Sequence, residues 1–96
     1  MNIQKMLQEA QKLQKKIKEF DKQIFDFNYK DLIIFQMDGS GKILNLKINN
    51  DIIDKDDPDT LQDLLITSIN DAKSLIEKKK DEMQNSLAGQ MPKGFF

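Results

Sequence analysis

Between Ile3 and Ile24, apolar side chains return in alternating steps of three and four: Ile3, Met6, Ala10, Leu13, Ile17, Phe20 and Ile24. That is a heptad seam sustained over three repeats, the spacing of a helix with one narrow apolar stripe. Gln, Lys and Glu fill the positions between, all good helix formers, and neither Gly nor Pro interrupts them. The pattern predicts a helix from Asn2 to Gln23, about 33 Å long at 1.5 Å per residue. An isolated helix of this kind is marginal, so the seam needs something to pack against. Two readings stay open: an amphipathic core helix, or a pairing helix that projects from a compact body.

At Phe25 the period drops to two. Phe25, Phe27 and Tyr29 alternate with Asp26, Asn28 and Lys30, which predicts a strand with one wet face. Leu32 to Met37 is apolar on both faces and reads as the central strand of a sheet. Asp38-Gly39-Ser40-Gly41 follows as a hairpin turn. The return strand, Lys42 to Ile48, places Leu44, Leu46 and Ile48 inward and Asn45, Lys47 and Asn49 outward. After an acidic loop, Asp57-Pro58-Asp59 carries the signals of a helix start: a capping carboxylate, a proline at the first position and an acid in the first turn. Leu61, Leu65, Ile69, Ala72, Ile76 and Met83 then share one face of a second long helix, which Ser86 to Gly89 ends. The expected fold is α+β, an α-β-β-β-α protomer with a three-stranded antiparallel sheet flanked by two long helices. Residues 1–88 form one domain, and 89–96 read as a flexible C-terminal tail. Three strands and two helices leave more apolar surface than one copy covers, so a homodimer is expected.

The chain of 96 residues has no cysteine and no histidine. Disulfide and thiolate-metal reinforcement is therefore excluded, as are the commonest general base and nucleophilic triads built on His or Cys. No apolar run reaches the roughly 18 to 20 residues of a membrane span, and the opening Met1-Asn2-Ile3-Gln4-Lys5 is not an export signal. A cytoplasmic, non-enzymatic protein with no cofactor, metal, membrane or small-molecule substrate is the expectation. Asp38-Gly39-Ser40-Gly41-Lys42 lacks the spacing of a phosphate loop and leads into a strand. Asp51, Asp54, Asp56, Asp57 and Asp59 lack the central glycine and terminal glutamate of an EF-hand. Asp63 and Asp71, though on similar helix faces, read as salt-bridge or capping groups.

Charge is distributed unevenly. Met1 to Lys22 holds six lysines against Glu9, Glu19 and Asp21, whereas Asp51 to Asp71 holds seven aspartates against Lys55. All basic side chains are lysine, a hydrated point charge that neutralises phosphate without the bidentate geometry of arginine. Lys5, Lys12, Lys15, Lys16, Lys18 and Lys22 lie on the face of the first helix away from its seam, and Lys73, Lys78, Lys79 and Lys80 cluster late in the second. These ten are the candidate site: either a solubilising surface or a set of phosphate contacts.

Several segments together resemble the YbaB/EbfC family of bacterial nucleoid-associated proteins. Met6-Leu7-Gln8-Glu9-Ala10-Gln11-Lys12-Leu13-Gln14 is similar to the family's opening helix. Asp38 to Ile43 through Lys47-Ile48 is similar to its hairpin, and Leu61-Gln62-Asp63-Leu64-Leu65 followed by Asn70-Asp71-Ala72 resembles its second helix. The Gly/Met/Pro/Phe tail matches as well. Two departures stand out: Tyr29-Lys30-Asp31 where the family often carries glycines, and no arginine. The resemblance implies a tweezer-like homodimer that binds duplex DNA through the lysines named above, is nucleoid-associated, and acts in nucleoid organisation or gene regulation. The competing reading is a protein-interaction module that pairs its N-terminal heptad helix with a partner helix.

Overall fold

The computed structural model describes residues 2–88. Helix α1 spans Ile3–Lys22, strands β1, β2 and β3 span Ile24–Tyr29, Ile33–Asp38 and Ile43–Ile48, a 3-10 turn covers Asn50–Ile52, and helix α2 spans Pro58–Ala88. The order is the expected α-β-β-β-α. The tail expected at 89–96 lies outside the described residues.

Each helix begins where a side chain satisfies the free backbone N–H groups of its first turn. Asn2 Oδ1 accepts from the N–H groups of Gln4 and Lys5 at 3.1 and 3.4 Å. Asp57 accepts from the Thr60 N–H at 3.3 Å and from its hydroxyl at 2.6 Å, with Pro58 as first helical residue.

The sheet is an antiparallel meander with β2 in the centre. Its register sorts the side chains into two faces. On one face run the rows Tyr29–Ile33–Ile48, Phe27–Phe35–Leu46 and Phe25–Met37–Ile43. Ile33, Phe35 and Met37 are the largest fully buried side chains, joined in the core by Phe20 of α1 and by Ala72 and Ile76 of α2. Burial of each of the Ile, Phe and Met side chains is worth about 1.5–3 kcal/mol. Phe27 stacks on Phe35 with ring centroids 5.2 Å apart.

The opposite face is uncovered. Asp26, Gln36 and Asn45 cross it as a hydrogen-bonded ladder: Gln36 donates to Asp26 and Asn45 donates to Gln36, both at 2.7 Å. β2 is thus central, as its composition implied, but its second face carries only Ile34 as an apolar group, and that residue is exposed.

Two expectations need correction. The alternation placed Leu44 inward, but an irregularity opposite Gln36 and Met37 pairs Met37 with Ile43 and leaves Leu44 as an extra, exposed residue. Ile43 takes the core position instead. Ile24, the last member of the heptad seam, belongs to β1 and is exposed, because the chain leaves the helix at Gln23 in an extended conformation.

The two hairpin turns solve different problems. In the second, Gly41 supplies a φ of +90°. Gly39 is needed for closeness: its N–H donates to the Gln23 carbonyl at 3.0 Å, and an added Cβ would lie 2.7 Å from the Phe20 carbonyl carbon. Asp38 Oδ1 ties the turn together, accepting from the Ser40 hydroxyl and from the N–H groups of Ser40 and Lys42. Those bonds, the Ser40 hydroxyl first, hold the Asp38 carboxyl below the usual carboxylate range. The first turn, by contrast, contains no glycine. Lys30 and Asp31 both adopt the left-handed region, at φ 55° and 59°. Asn28 exchanges two 2.8 Å hydrogen bonds with Asp31 and stabilises the turn.

α1 and α2 extend the molecule to 67 × 18 × 16 Å, with a radius of gyration of 18.9 Å. A compact domain of this length would have a radius of about 12.5 Å.

Three outcomes follow for chemical denaturation at fixed protein concentration. Gly39→Ala costs at least about 2 kcal/mol, because the hairpin must back away from α1. Lys30→Gly stabilises by about 0.5 kcal/mol, since relief of left-handed strain exceeds the entropy of a new glycine. The Asp38 contribution is present above the unfolded-state pKa of about 4 and is lost as pH falls through its lowered folded-state value. Asp38→Asn therefore weakens the fold at neutral pH and flattens that part of the acid profile.

Candidate nucleic-acid interface

At 1.5 Å per residue, the 20 residues of α1 run about 30 Å and the 31 of α2 about 46 Å. Their crossing is pinned where Lys80 Nζ meets Asp21 Oδ1 at 2.9 Å, with both side chains about one-third exposed. Around that point Phe20 packs on Phe25 at 5.5 Å, and the Lys79 ammonium lies 6.0 Å from the Phe25 ring centroid. From Asp21, α1 continues for eighteen residues to Ile3, whereas from Lys80 α2 has eight left to Ala88. Run in opposite directions from the crossing, the sheet-side part of α2 and the free part of α1 add to about 60 Å, most of the observed length. The first ten or so residues of α1 therefore overhang α2. Ile3 and Leu7 at that end are 71% and 58% exposed, while Met6, Ala10, Leu13 and Ile17 are half-buried.

The six lysines of α1 are all exposed. Successive residues turn by 100°, which sets Lys5, Lys12 and Lys16 in one row and Lys15, Lys18 and Lys22 in a neighbouring one. Lys16 has Glu19 3.7 Å away, an exposed pair of little energetic weight. The other five have no carboxylate within 4 Å among the described residues.

α2 behaves differently. Because three consecutive helix positions span 200°, Lys78, Lys79 and Lys80 cannot act as one patch. Lys79 leans over Phe25 and Lys80 is held by Asp21, so only Lys78 points outward free of both. Lys73 lines a cleft of about 230 Å³ with Gly39, Ser40, Gly41, Glu77 and Lys80. That cleft offers no ready anion nest, since the turn's N–H groups are already bonded to Asp38 and Gln23. The structure thus brings the six α1 lysines together and does not bring the four of α2 into one group. Lys80's partner was missed from sequence, because Asp21 is 59 positions away and no periodicity links them.

The aspartates of the loop before α2 turn to local tasks. Asp54 accepts from the Asp56 N–H at 2.9 Å and Asp57 caps α2. Among the described residues no three acidic side chains converge as a metal site, and no helix is long and apolar enough to cross a membrane.

Residues 1–91 match the model of the YbaB/EbfC DNA-binding family. A nucleoid-associated protein of Ureaplasma urealyticum is 38% identical, over 98% of this chain and 96% of the relative. One from Malacoplasma penetrans is also 38% identical, over 96% and 99%, and one from Lactococcus lactis is 35% identical, over 96% and 98%. With a family match over nearly the whole chain and relatives at 35–38% identity along almost their full lengths, the chain belongs to the YbaB/EbfC DNA-binding family.

Proposed function

We propose that this chain binds duplex DNA as a homodimer, chiefly through phosphate contacts, in the bacterial nucleoid, and serves nucleoid organisation or gene regulation there. The observation that carries the reading is the double row of exposed lysines along a helix that overhangs the rest of the described residues. An arm of this kind can lie along a phosphate backbone without the body of the protein intruding. Lys5, Lys12, Lys15, Lys16, Lys18 and Lys22 are the principal contacts in this reading. Lys78 and Lys73 are secondary, and Lys79 and Lys80 act mainly through the structure they hold in place.

Without arginine the protein lacks the rigid planar fork that reads guanine best, so base discrimination is weak and affinity comes mainly from counterion release. The seven aspartates between Asp51 and Asp71 make the opposite end of the molecule repel DNA, which confines the duplex to the arms. A homodimer would double the number of arms and cover the apolar side chains that one copy leaves exposed.

A second reading has one observation in its favour. The exposed Ile3 continues the apolar seam past its cover, with Leu7 exposed to one side of it, as a helix that pairs with a partner helix would.

The two separate in a titration of labelled duplex followed by fluorescence anisotropy at several salt concentrations. If about six phosphates are neutralised, the logarithm of affinity falls with the logarithm of salt at a slope near −5. Lys15→Glu with Lys16→Glu abolishes binding and leaves the sedimentation behaviour unchanged. A slope near zero overturns the phosphate mechanism, and loss of function on Leu13→Asp with DNA binding intact favours the partner-helix reading.

A further inference from the structure

The face of α1 opposite its apolar seam changes character along its length. At about 100° per residue, Gln4, Gln8, Gln11, Lys15, Lys18 and Lys22 fall in one stripe. All six are exposed. The first three end in carboxamides and the last three in ammonium groups. The change falls close to where α1 stops overhanging α2. Leu7 belongs to the same overhanging half, is 58% exposed and lies to one side of the seam. Three positions from Gln4 and four from Gln11, it neighbours both on the helix surface.

We propose that this half of α1 enters the major groove of duplex DNA and reads A·T base pairs, with the Gln4, Gln8 and Gln11 amides on adenine and Leu7 against the thymine methyl group. This rests on the duplex-binding reading above and gives its weak base discrimination a direction. A carboxamide carries a donor and an acceptor side by side, which matches the N6 amino group and N7 of adenine. Guanine offers two acceptors in the same places, so the amide oxygen would face one of them. The methyl group of the paired thymine takes an apolar contact, and leucine supplies one.

The overhang makes room for this. A helix with its side chains is about 10–12 Å across, and the major groove is about 12 Å wide. Only a helix without neighbours on its flanks sinks that far, and among the described residues the first ten or so of α1 meet that condition. From Gln4 to Gln11 the rise is about 10 Å, the span of three base pairs. Lys5 and Lys12 are turned roughly a quarter-circle from the amides, towards a groove wall and its phosphates. Glu9, the one acid between Asn2 and Gln14, is half-buried and turned about 100° from Gln8 towards the seam. Further along, α2 lies against α1 and keeps it out of the groove, and there the stripe presents lysines that reach the backbone from above. A helix seeking a partner helix would use its seam; the amide row is on the other side, flanked by charges that suit a polyanion.

The test is a titration of the full chain, at one salt concentration, with two labelled duplexes of equal length, one of A·T pairs and one of G·C pairs. The A·T duplex is expected to bind at least about fivefold more tightly, the value of one good amide–adenine contact. Replacing adenine by 7-deazaadenine removes N7, and replacing thymine by uracil removes the methyl group; together they are expected to erase the preference. A preference that survives both arises in the minor groove and overturns the proposal. The triple variant Gln4→Ala, Gln8→Ala and Gln11→Ala retains its helix, since alanine is the best helix former. It is expected to bind both duplexes alike, with the salt slope unchanged. An equal loss on both duplexes, or an unchanged preference, overturns the assignment of these amides. Binding by the unsubstituted protein without any A·T preference overturns the inference and leaves the duplex-binding reading intact, whereas no binding to either duplex overturns both.

Discussion

The apposition of the second hairpin turn against the end of α1 fixes the geometry of this molecule. Gly39 sits where no other residue fits, its backbone bonded to Gln23 and pressed to the Phe20 carbonyl, while the Phe20 side chain enters the sheet core. Everything that gives α1 a direction passes through this joint. A helix bound to its body only by a flexible turn would sweep a cone; here a backbone contact, a buried phenyl ring and the Asp21–Lys80 pair set the direction of α1 at its base. An overhanging helix with only a few half-buried residues along its free length has little else to orient it.

The distribution of charge acts on the framework so defined. Lysines occupy the arm and aspartates the loop and first turns of α2, and the two groups are separated along the long axis. Net charge is close to zero, yet positive charge gathers towards one end of the molecule and negative charge towards the other. Where lysines fall near the body they serve packing: Lys80 neutralises Asp21, and Lys79 covers the edge of Phe25. Lysine suits both tasks because its long aliphatic stem can lie along apolar surface while the ammonium reaches a partner or water.

The helices were legible because helix signals are local: the heptad spacing, the Asp57-Pro58-Asp59 start and the lack of breakers are all readable within a few residues. The inward set of β1 and the central position of β2 could be read for the same reason. Leu44 could not be placed, because a bulge is decided by how β3 meets β2, not by the alternation of β3 itself. The first turn also escaped. Lys30 and Asp31 carry no glycine signal and are held left-handed by Asn28, which the sequence presents only as an outward strand residue.

The candidate site divides along the same line. By itself the sequence determined that α1 would be a long helix with an apolar seam and a lysine face, since rotation per residue fixes which side chains share a side. It also settled the order of elements and, through its motifs, the family. Only the tertiary structure decided that the α1 lysines stay exposed while Lys79 and Lys80 turn to structural use, and that Ile3 and Leu7 are exposed. The physical reason is that contacts such as Asp21 with Lys80 join residues far apart in sequence, and their geometry exists only once the sheet has brought the two helices together.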